Sequence, residues 1–468
     1  MAESSRRAAE DAGPMDLLSG INMLCVPNII SWGYVDPPAR LAERIRANPA
    51  IRWYTGVGAC APQWFMGEIA DRIASGQIQS ALICGAESYA SEYACRRQGK
   101  PLPWRPEEGT PRIVGDQRPP MTPLEQRHSL FVPAHLYALF ENALRHHRGL
   151  SLEEHRHELG QFCAGLSRIA ADNPYAWFRK ERTPGEIITI TRENRMIAFP
   201  FAKLMCSMMF VDQSAAVLVM SLAEARRRNI PEDKYIFPVG IGEAWDLWHV
   251  IHRENFYTSP SVKAAVNMAI HQAGVSLDEV DFLDFYSCFP CVPRIVRDTL
   301  GISPDDPRPL TVTGGMPYFG GPGNNYSLHA TCRMVETLRT SPGKTGLVQA
   351  LSWFLHKHAV GIYRGRPNPE GWKRTDPGPF LKELEKLQQP AVVESPEGET
   401  TVETYTVVYE GEDPVSGFVI GRTPKQERFL ARVEDDQDTL KTMTTREVIG
   451  LKGVVTPSPS LGINLFRL

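Results

Sequence analysis

The sequence predicts an α/β protein of two similar halves, with a long insertion in the first half and a small β-barrel at the C-terminus. Three observations predict it. Near-continuous apolar runs alternate with amphipathic ones over the first 88 residues, the same alternation returns after about Pro260, and beyond Gly365 it gives way to short strands between turn residues. A chain of 468 residues is also too long for one core, so two or three domains are expected.

The elements follow in order. INMLCVP (21–27) reads as a strand, 38–48 as a helix, IRWYTGV (51–57) as a strand, Pro62 to Ser75 as a helix and SALICGA (80–86) as a strand. From 89 to 195 the chain is rich in Pro, Arg and His, with helices at 131–149 and from Ser151 onward. Ser151 and Glu154 have the spacing of a capping box. An insertion of this length inside an α/β unit reads as a lid or a binding excursion. The sheet pattern resumes at 214–221, and a second half contains SVKAAVNMAIHQAG, VDFLDFY, TGLVQAL and AVGIYRG. The boundaries are 1–88 with 196–258 for the first half, 89–195 for the insertion, 259–366 for the second half, 367–378 for a linker and 379–468 for an OB-like barrel. The Pro-rich linker predicts that the barrel is separable by proteolysis. Loop, helix and strand recur at 60–86 and 320–351, which suggests an internal duplication.

Composition narrows the function. A net charge of −3 gives no global attraction to nucleic acid or to an anionic membrane. Nine irregularly spaced cysteines fit a reducing compartment rather than a disulfide framework. No apolar run approaches the ~18 residues that span a bilayer, and Met1 to Pro14 has no secretory h-region. A cytoplasmic protein is expected, since Phe466-Arg467-Leu468 matches the peroxisomal signal poorly. Cys288 and Cys291 form a Cys-x-x-Cys with no second pair to complete a zinc site, so no metal or bound redox cofactor is expected.

Several segments carry a family likeness: GACAPQWFMGEIADRIASGQIQSALICGAES (58–88), DNPYAW (172–177), NRMIAFPFAKLMCSMMFVDQSAAVL (194–218), VDFLDFYSCFPCVPRIVRDTLGI (280–302), LTVTGGMPYFGGPGNNYSLHATCRMVETLR (310–339) and HKHAVGIY (356–363). In this order they resemble the thiolase superfamily, especially the sterol-carrier-protein thiolases and, more closely, the type 1 thiolase-like proteins with an additional C-terminal domain. The resemblance implies the thiolase fold, with five layers α/β/α/β/α. It also implies a coenzyme A thioester as substrate and Claisen-type carbon–carbon chemistry.

That chemistry needs an activated thiolate at a helix N-terminus, a His, a second Cys and oxyanion donors, each donor worth roughly 3–4 kcal/mol. Counted against the family, the nucleophile position is Ala59, with Cys60 one residue on. The second station reads Tyr286-Ser287-Cys288-Phe289, with Tyr286 where Asn or His stands in relatives. The third reads Gly320-Gly321-Pro322, so the family's His is replaced by Gly321. The fourth, around Trp353 to His358, has no Cys. The candidate catalytic residues are therefore Cys60, Tyr286, Cys288, His329 and His358, expected to converge on one cavity beneath the insertion. Gly320, Gly321, Pro322, Asn324 and Asn325 are the candidates for contact with the thioester tail. The readings are a divergent acyl-CoA acyltransferase of acetyl-CoA acetyltransferase type, a catalytically silent acyl-CoA-binding or scaffold subunit, and an aldolase-like lyase using Tyr286. Residues retained at the first two stations favour an enzyme; both a homodimer and a hetero-complex remain open. Relatives also open with a hydrophobic strand that RRAAEDAG (6–13), already helical in pattern, does not supply. Either the N-terminus is truncated, the favoured reading, or the first sheet lacks a central strand.

Overall fold

The computed structural model describes residues 1–13, 16–102, 107–434 and 436–468; part of the expected insertion, 103–106, lies outside them. The first half comprises α1 (Ala2–Ala12), β1 (Met23–Val26), α2 (Pro37–Ile45), β2 (Ile51–Tyr54), α3 (Ala61–Ala74) and β3 (Ser80–Ser88). The insertion follows, with α4 (Tyr89–Arg97), α5 (Pro123–Arg127), α6 (Pro133–His147), α7 (Leu152–Asp172), α8 (Pro184–Ile188), β4 (Met196–Ala198) and β5 (Phe201–Ala202). Then come β6 (Asp212–Met220), α9 (Leu222–Arg227), β7 (Phe237–Trp245), α10 (Pro260–Ala273), β8 (Phe282–Phe285), α11 (Cys291–Thr299), α12 (Tyr326–Arg339), β9 (Thr345–Ser352) and β10 (Lys357–Arg364). The C-terminal region holds α13 (Gly378–Leu381), β11 (Gly398–Glu410), β12 (Asp413–Arg422), β13 (Arg428–Glu434), α14 (Gln437–Thr445), β14 (Lys452–Ser458) and β15 (Ile463–Arg467).

Two four-stranded sheets form the body, ordered β2-β1-β3-β6 and β7-β10-β9-β8. They are copies of one plan. β1 runs parallel to β3 and β3 antiparallel to β6, as β8 runs parallel to β9 and β9 antiparallel to β10. α3 feeds β3 as α12 feeds β9. Phe65, Met66 and Ile69 of α3 and Leu328, Met334 and Leu338 of α12 share one core with both sheets, so these helices form the middle layer. α1 and α2 cover the outside of the first sheet, and α10 covers the second, giving the five layers of the thiolase fold. Contact with α10 is close because β7 carries glycine: a Cβ on Gly240 would lie 2.0 Å from the Ala269 carbonyl oxygen.

Three expectations need correction. β7 belongs to the second sheet, although the sequence boundaries placed 237–245 in the first half. Its glycines interrupt the apolar run that marks the other strands. The first sheet has no gap at its centre; its four strands are contiguous, and the open position lies at its edge, outside β6.

The third concerns the barrel, which closes as β11-β12-β13-β15-β14 and back to β11. It is built into the body rather than hung from a linker. β11 pairs with β4 at Val408 and Ala198, the Thr404 hydroxyl donates to the Leu139 carbonyl at 2.6 Å, and Asn142 donates to the Tyr405 carbonyl at 2.8 Å. Arg428, fully buried, binds Glu403 and donates to the Ile251 carbonyl at 2.9 Å, with its guanidinium 4.7 Å from the Phe256 ring centre. Phe418, Ile420 and Leu430 of the barrel lie in the same apolar cluster as α6 and α11. Among the described residues no helix is long and apolar enough to cross a membrane.

Candidate functional site

α3 begins at Cys60, its N-cap residue, followed by Ala61 and Pro62, which is pre-set for a first helical turn. Ala59 and Cys60 fall in different apolar clusters. Ala59 packs in the cluster that also holds Tyr286, Cys288, Phe289, Met316 and Tyr326. Cys60 packs instead with Ala350 and Ala359 on the second sheet. There the Ser352 hydroxyl donates to the Cys60 sulfur at 2.7 Å, and the Cys60 amide donates to Ser352 Oγ at 3.2 Å. Burial pushes the Cys60 thiol up; Lys357 and the Ser352 hydrogen bond pull it back only in part. Cys60 lines a cleft of about 40 Å³ together with Gly58, Trp64, Asp116, Trp248 and Trp353.

Tyr286 and Cys288 follow β8. The Tyr286 ring stands edge-on to Tyr326, 5.5 Å between centres, and burial holds its phenol far above the ordinary value. Burial likewise pushes the Cys288 thiol up to about 12. His358, fully buried on β10, accepts at Nδ1 from the Gln349 amide at 2.9 Å; its Nε2 faces Ser259 Oγ at 3.0 Å and the Leu355 carbonyl at 3.1 Å. The Ser259 hydroxyl donates to the Asp246 carboxylate at 2.6 Å, and Gln349 accepts from the Tyr286 amide at 3.0 Å. Burial lowers His358 to about 4, so it is a neutral, fully satisfied imidazole. His329 sits on α12 against Phe319, with Asn325 Nδ2 at 3.2 Å, and burial lowers it to about 3.

Of the five candidates, Cys60 lines the small cleft and His329 a separate cavity along β6. Tyr286 lies near enough to Cys288 and Cys60 for their charges to add to the effect of burial on its phenol. The glycine loop is also committed internally. The Gly321 amide donates to the Met208 carbonyl at 2.8 Å, and a Cβ there would lie 2.2 Å from Ser207 Oγ and 3.2 Å from Met316 Cε. Gly320 faces Gln213, where a Cβ would lie 2.4 Å from Oε1, and Pro322 is buried beside it. Asn324 accepts from the Gly58 amide at 2.8 Å and donates to Asn28, while Asn325 donates to the Gly85 carbonyl at 2.8 Å. These side chains tie the two halves together. Among the described residues no cluster of three or more His, Cys, Asp or Glu is placed to hold a metal.

Two polar residues near the site escaped the sequence reading. Ser352 left no local signal, because its partner Cys60 is distant in sequence. Asp284 did leave one, as a carboxylate in the apolar run VDFLDF. It is fully buried and accepts from the Thr311 hydroxyl and the Val312 amide, each at 2.9 Å; burial raises it to about 6. Thr313 links this carboxylate to the Tyr326 hydroxyl at 2.6 Å.

Comparison with known proteins places the chain. The crystal structure of a monomeric SCP2-thiolase like protein type 1 from Mycobacterium smegmatis matches it with TM-score 0.86 and 32% identity, over 100% of this chain and 94% of that one. The chain belongs to the SCP2-thiolase-like protein type 1 family. A family model, the thiolase-like protein type 1 additional C-terminal domain, matches residues 379–458 of this type 1 protein, the region of the barrel. The Ltp2-ChsH2(DUF35) aldolase (TM-score 0.57, 17% identity, 78% of this chain and 91% of that) and human mitochondrial 3-ketoacyl-CoA thiolase (0.54, 14%, 78% and 91%) share its fold. Among curated proteins nothing matches. In this type 1 thiolase-like protein the start of α3 thus keeps its place at the centre of the fold, but the side chain in the shared cluster there is the methyl group of Ala59.

Proposed function

We propose that this type 1 thiolase-like protein has given up Claisen chemistry and serves as a catalytically silent acyl-CoA-binding or scaffold protein. One observation carries the reading: the Cys60 sulfur accepts a hydrogen bond from the Ser352 hydroxyl and has no imidazole beside it, while Ala59, in the family's nucleophile position, carries no thiol. Acyl transfer needs a thiolate with a base in hydrogen-bond reach. Cys60 has a hydroxyl there, and Gly321 offers no imidazole. A monomeric state is supported by its M. smegmatis relative, which is described as monomeric.

Titration calorimetry with acetyl-CoA, beside a thiolysis assay with acetoacetyl-CoA, tests this. Binding without turnover is expected. Turnover near the ordinary ~10 s⁻¹ would overturn the silent reading.

A second reading, a divergent acyltransferase with Cys60 as nucleophile, draws support from the position of Cys60 at the amino end of α3 and from Lys357 nearby, both of which favour thiolate. An aldolase-like role for Tyr286 has its burial against it, because a phenol held far above its ordinary value stays protonated and gives up its proton poorly.

A further inference from the structure

The cleft at Cys60 has walls of two kinds. Cys60, Ala61 and Trp64 stand at the start of α3, and Ser352 and Lys357 belong to β9 and β10, all parts of the rigid body. Val114, Gly115 and Asp116, which also line it, come from the insertion. They lie on 107–119, a segment without helix or strand that meets the end of β2 in an isolated bridge, Val114 with Thr55.

The segment is pinned at its ends and lightly held between. At one end the Glu107 amide donates to the Gly33 carbonyl at 3.2 Å, and the Val35 amide donates to the Glu107 carboxylate at 2.9 Å. At the other, Trp248 Nε1 donates to the Pro119 carbonyl at 2.7 Å. There the Arg118 guanidinium lies 3.7 Å from the Trp248 ring centre and 5.5 Å from that of Trp245. Asp116 accepts from Arg118 Nη2 at 2.6 Å and from the Arg118 amide at 3.0 Å, which holds the guanidinium to the segment. In the middle the Val114 amide donates to the Tyr54 carbonyl at 2.8 Å, and Gly115 rests on Trp64, where a Cβ would lie 3.6 Å from the ring.

These attachments are those of a cover, not of a core. Gly115 to Pro119 are all exposed, so little apolar burial opposes their lifting. A guanidinium on an exposed indole is a weak, reversible contact. Trp248 keeps its place without it, since its other neighbour is the buried His356 ring, 4.7 Å away between centres. Gly109, at φ 133°, supplies a pivot that a residue with a side chain would resist. We propose that 110–118 is a hinged cover on the Cys60 cleft, latched by Arg118 on Trp248, and that release of the latch swings it about Gly109 and opens the cleft to solvent. The cleft then has two states whatever its chemistry. In the closed one Cys60 is 4% exposed, and in the open one its thiol meets reagents from solution.

Alkylation of the 1–468 chain by iodoacetamide, read by peptide mass mapping, tests this. Cys95, part-exposed on α4, is the reference for an accessible thiol, and the buried Cys163 is the reference for general loosening. In Arg118→Ala, Cys60 is expected to react about 10-fold faster than in the wild type, with Cys95 and Cys163 unchanged. Val114→Pro, which removes the amide donated to Tyr54, should accelerate Cys60 in the same way. Cys60 rates that neither substitution changes overturn the proposal. A wild-type Cys60 as fast as Cys95 overturns it too, because nothing then covers the thiol. So does a Cys163 that accelerates together with Cys60, because the whole fold and not the cover has then opened.

Discussion

Ser352 and Cys60 bind each other twice: hydroxyl to sulfur at 2.7 Å, and amide to hydroxyl oxygen at 3.2 Å. One serine from β9 thereby fixes both the thiol and the backbone at the start of α3.

Replacement of Ser352 by Ala removes the acceptor of a buried amide, which costs about 1–3 kcal/mol when left unsatisfied. Urea denaturation should show that loss, with an unchanged m-value. A change below about 0.5 kcal/mol, the range of ordinary surface substitutions, would show that the pair holds nothing in place.

Gly321→His restores the family's residue but not its site. Ser207 Oγ lies 2.2 Å from where the Cβ must go, so overpacking should destabilise the protein by about 1–3 kcal/mol. Thermal melts of Gly321→His and of its double mutant with Ser207→Gly measure the clash. The second change should recover part of the loss, since the two positions touch. Equal melting temperatures for wild type and Gly321→His would mean that the loop is open.

Limited proteolysis should release no stable barrel fragment after cleavage in 367–378, because α6 and the barrel share a core and Arg428 reaches into 251–256. Arg428→Met leaves Glu403 with Arg422 but strips the Ile251 carbonyl of its donor. It should loosen the docking and make the barrel susceptible. A folded barrel released from the wild type would contradict this account.

Acid should destabilise the protein through buried histidines. Burial lowers His128 and His358 to about 4 and His329 to about 3, all from 6.5. The unfolded chain therefore binds more protons below about pH 6.5, and stability falls as pH drops from there toward 4, by up to about 1.4 kcal/mol per pH unit for each group. His128 is mechanically placed for this, since its Nδ1 lies 2.8 Å from the Leu124 carbonyl while its Nε2 accepts from the Asn464 amide of the barrel at 2.9 Å. Asp284, raised to about 6, works in the opposite direction and offsets only part of the effect. Melting temperatures across pH 7.5 to 5 should decline below pH 6.5; a rise on acidification would show that Asp284 dominates.

Much of the fold was legible in local pattern. Period and apolar runs revealed β1, β3, β6, β9 and β10, and the capping box at Ser151 and Glu154 forms as its spacing predicts. β7 was not legible, because Gly240 and Gly242, which admit α10, dilute its apolar signal. The docking of the barrel was hidden too, since Arg428 and Glu403 read as surface charges until 251–256 folds over them. At the site, the loss of the family's His could be read directly at Gly321. Which of Ala59 and Cys60 faces the cluster could not, because one residue of rotation at a helix start decides it.

The most direct test of a silent site is the intact mass of the protein after incubation with acetyl-CoA and rapid acid quench. The account predicts an unmodified chain, with Ala59 at the shared cluster and the Cys60 thiol held by Ser352. An acetyl adduct that maps to Cys60 and disappears in Cys60→Ser would contradict it.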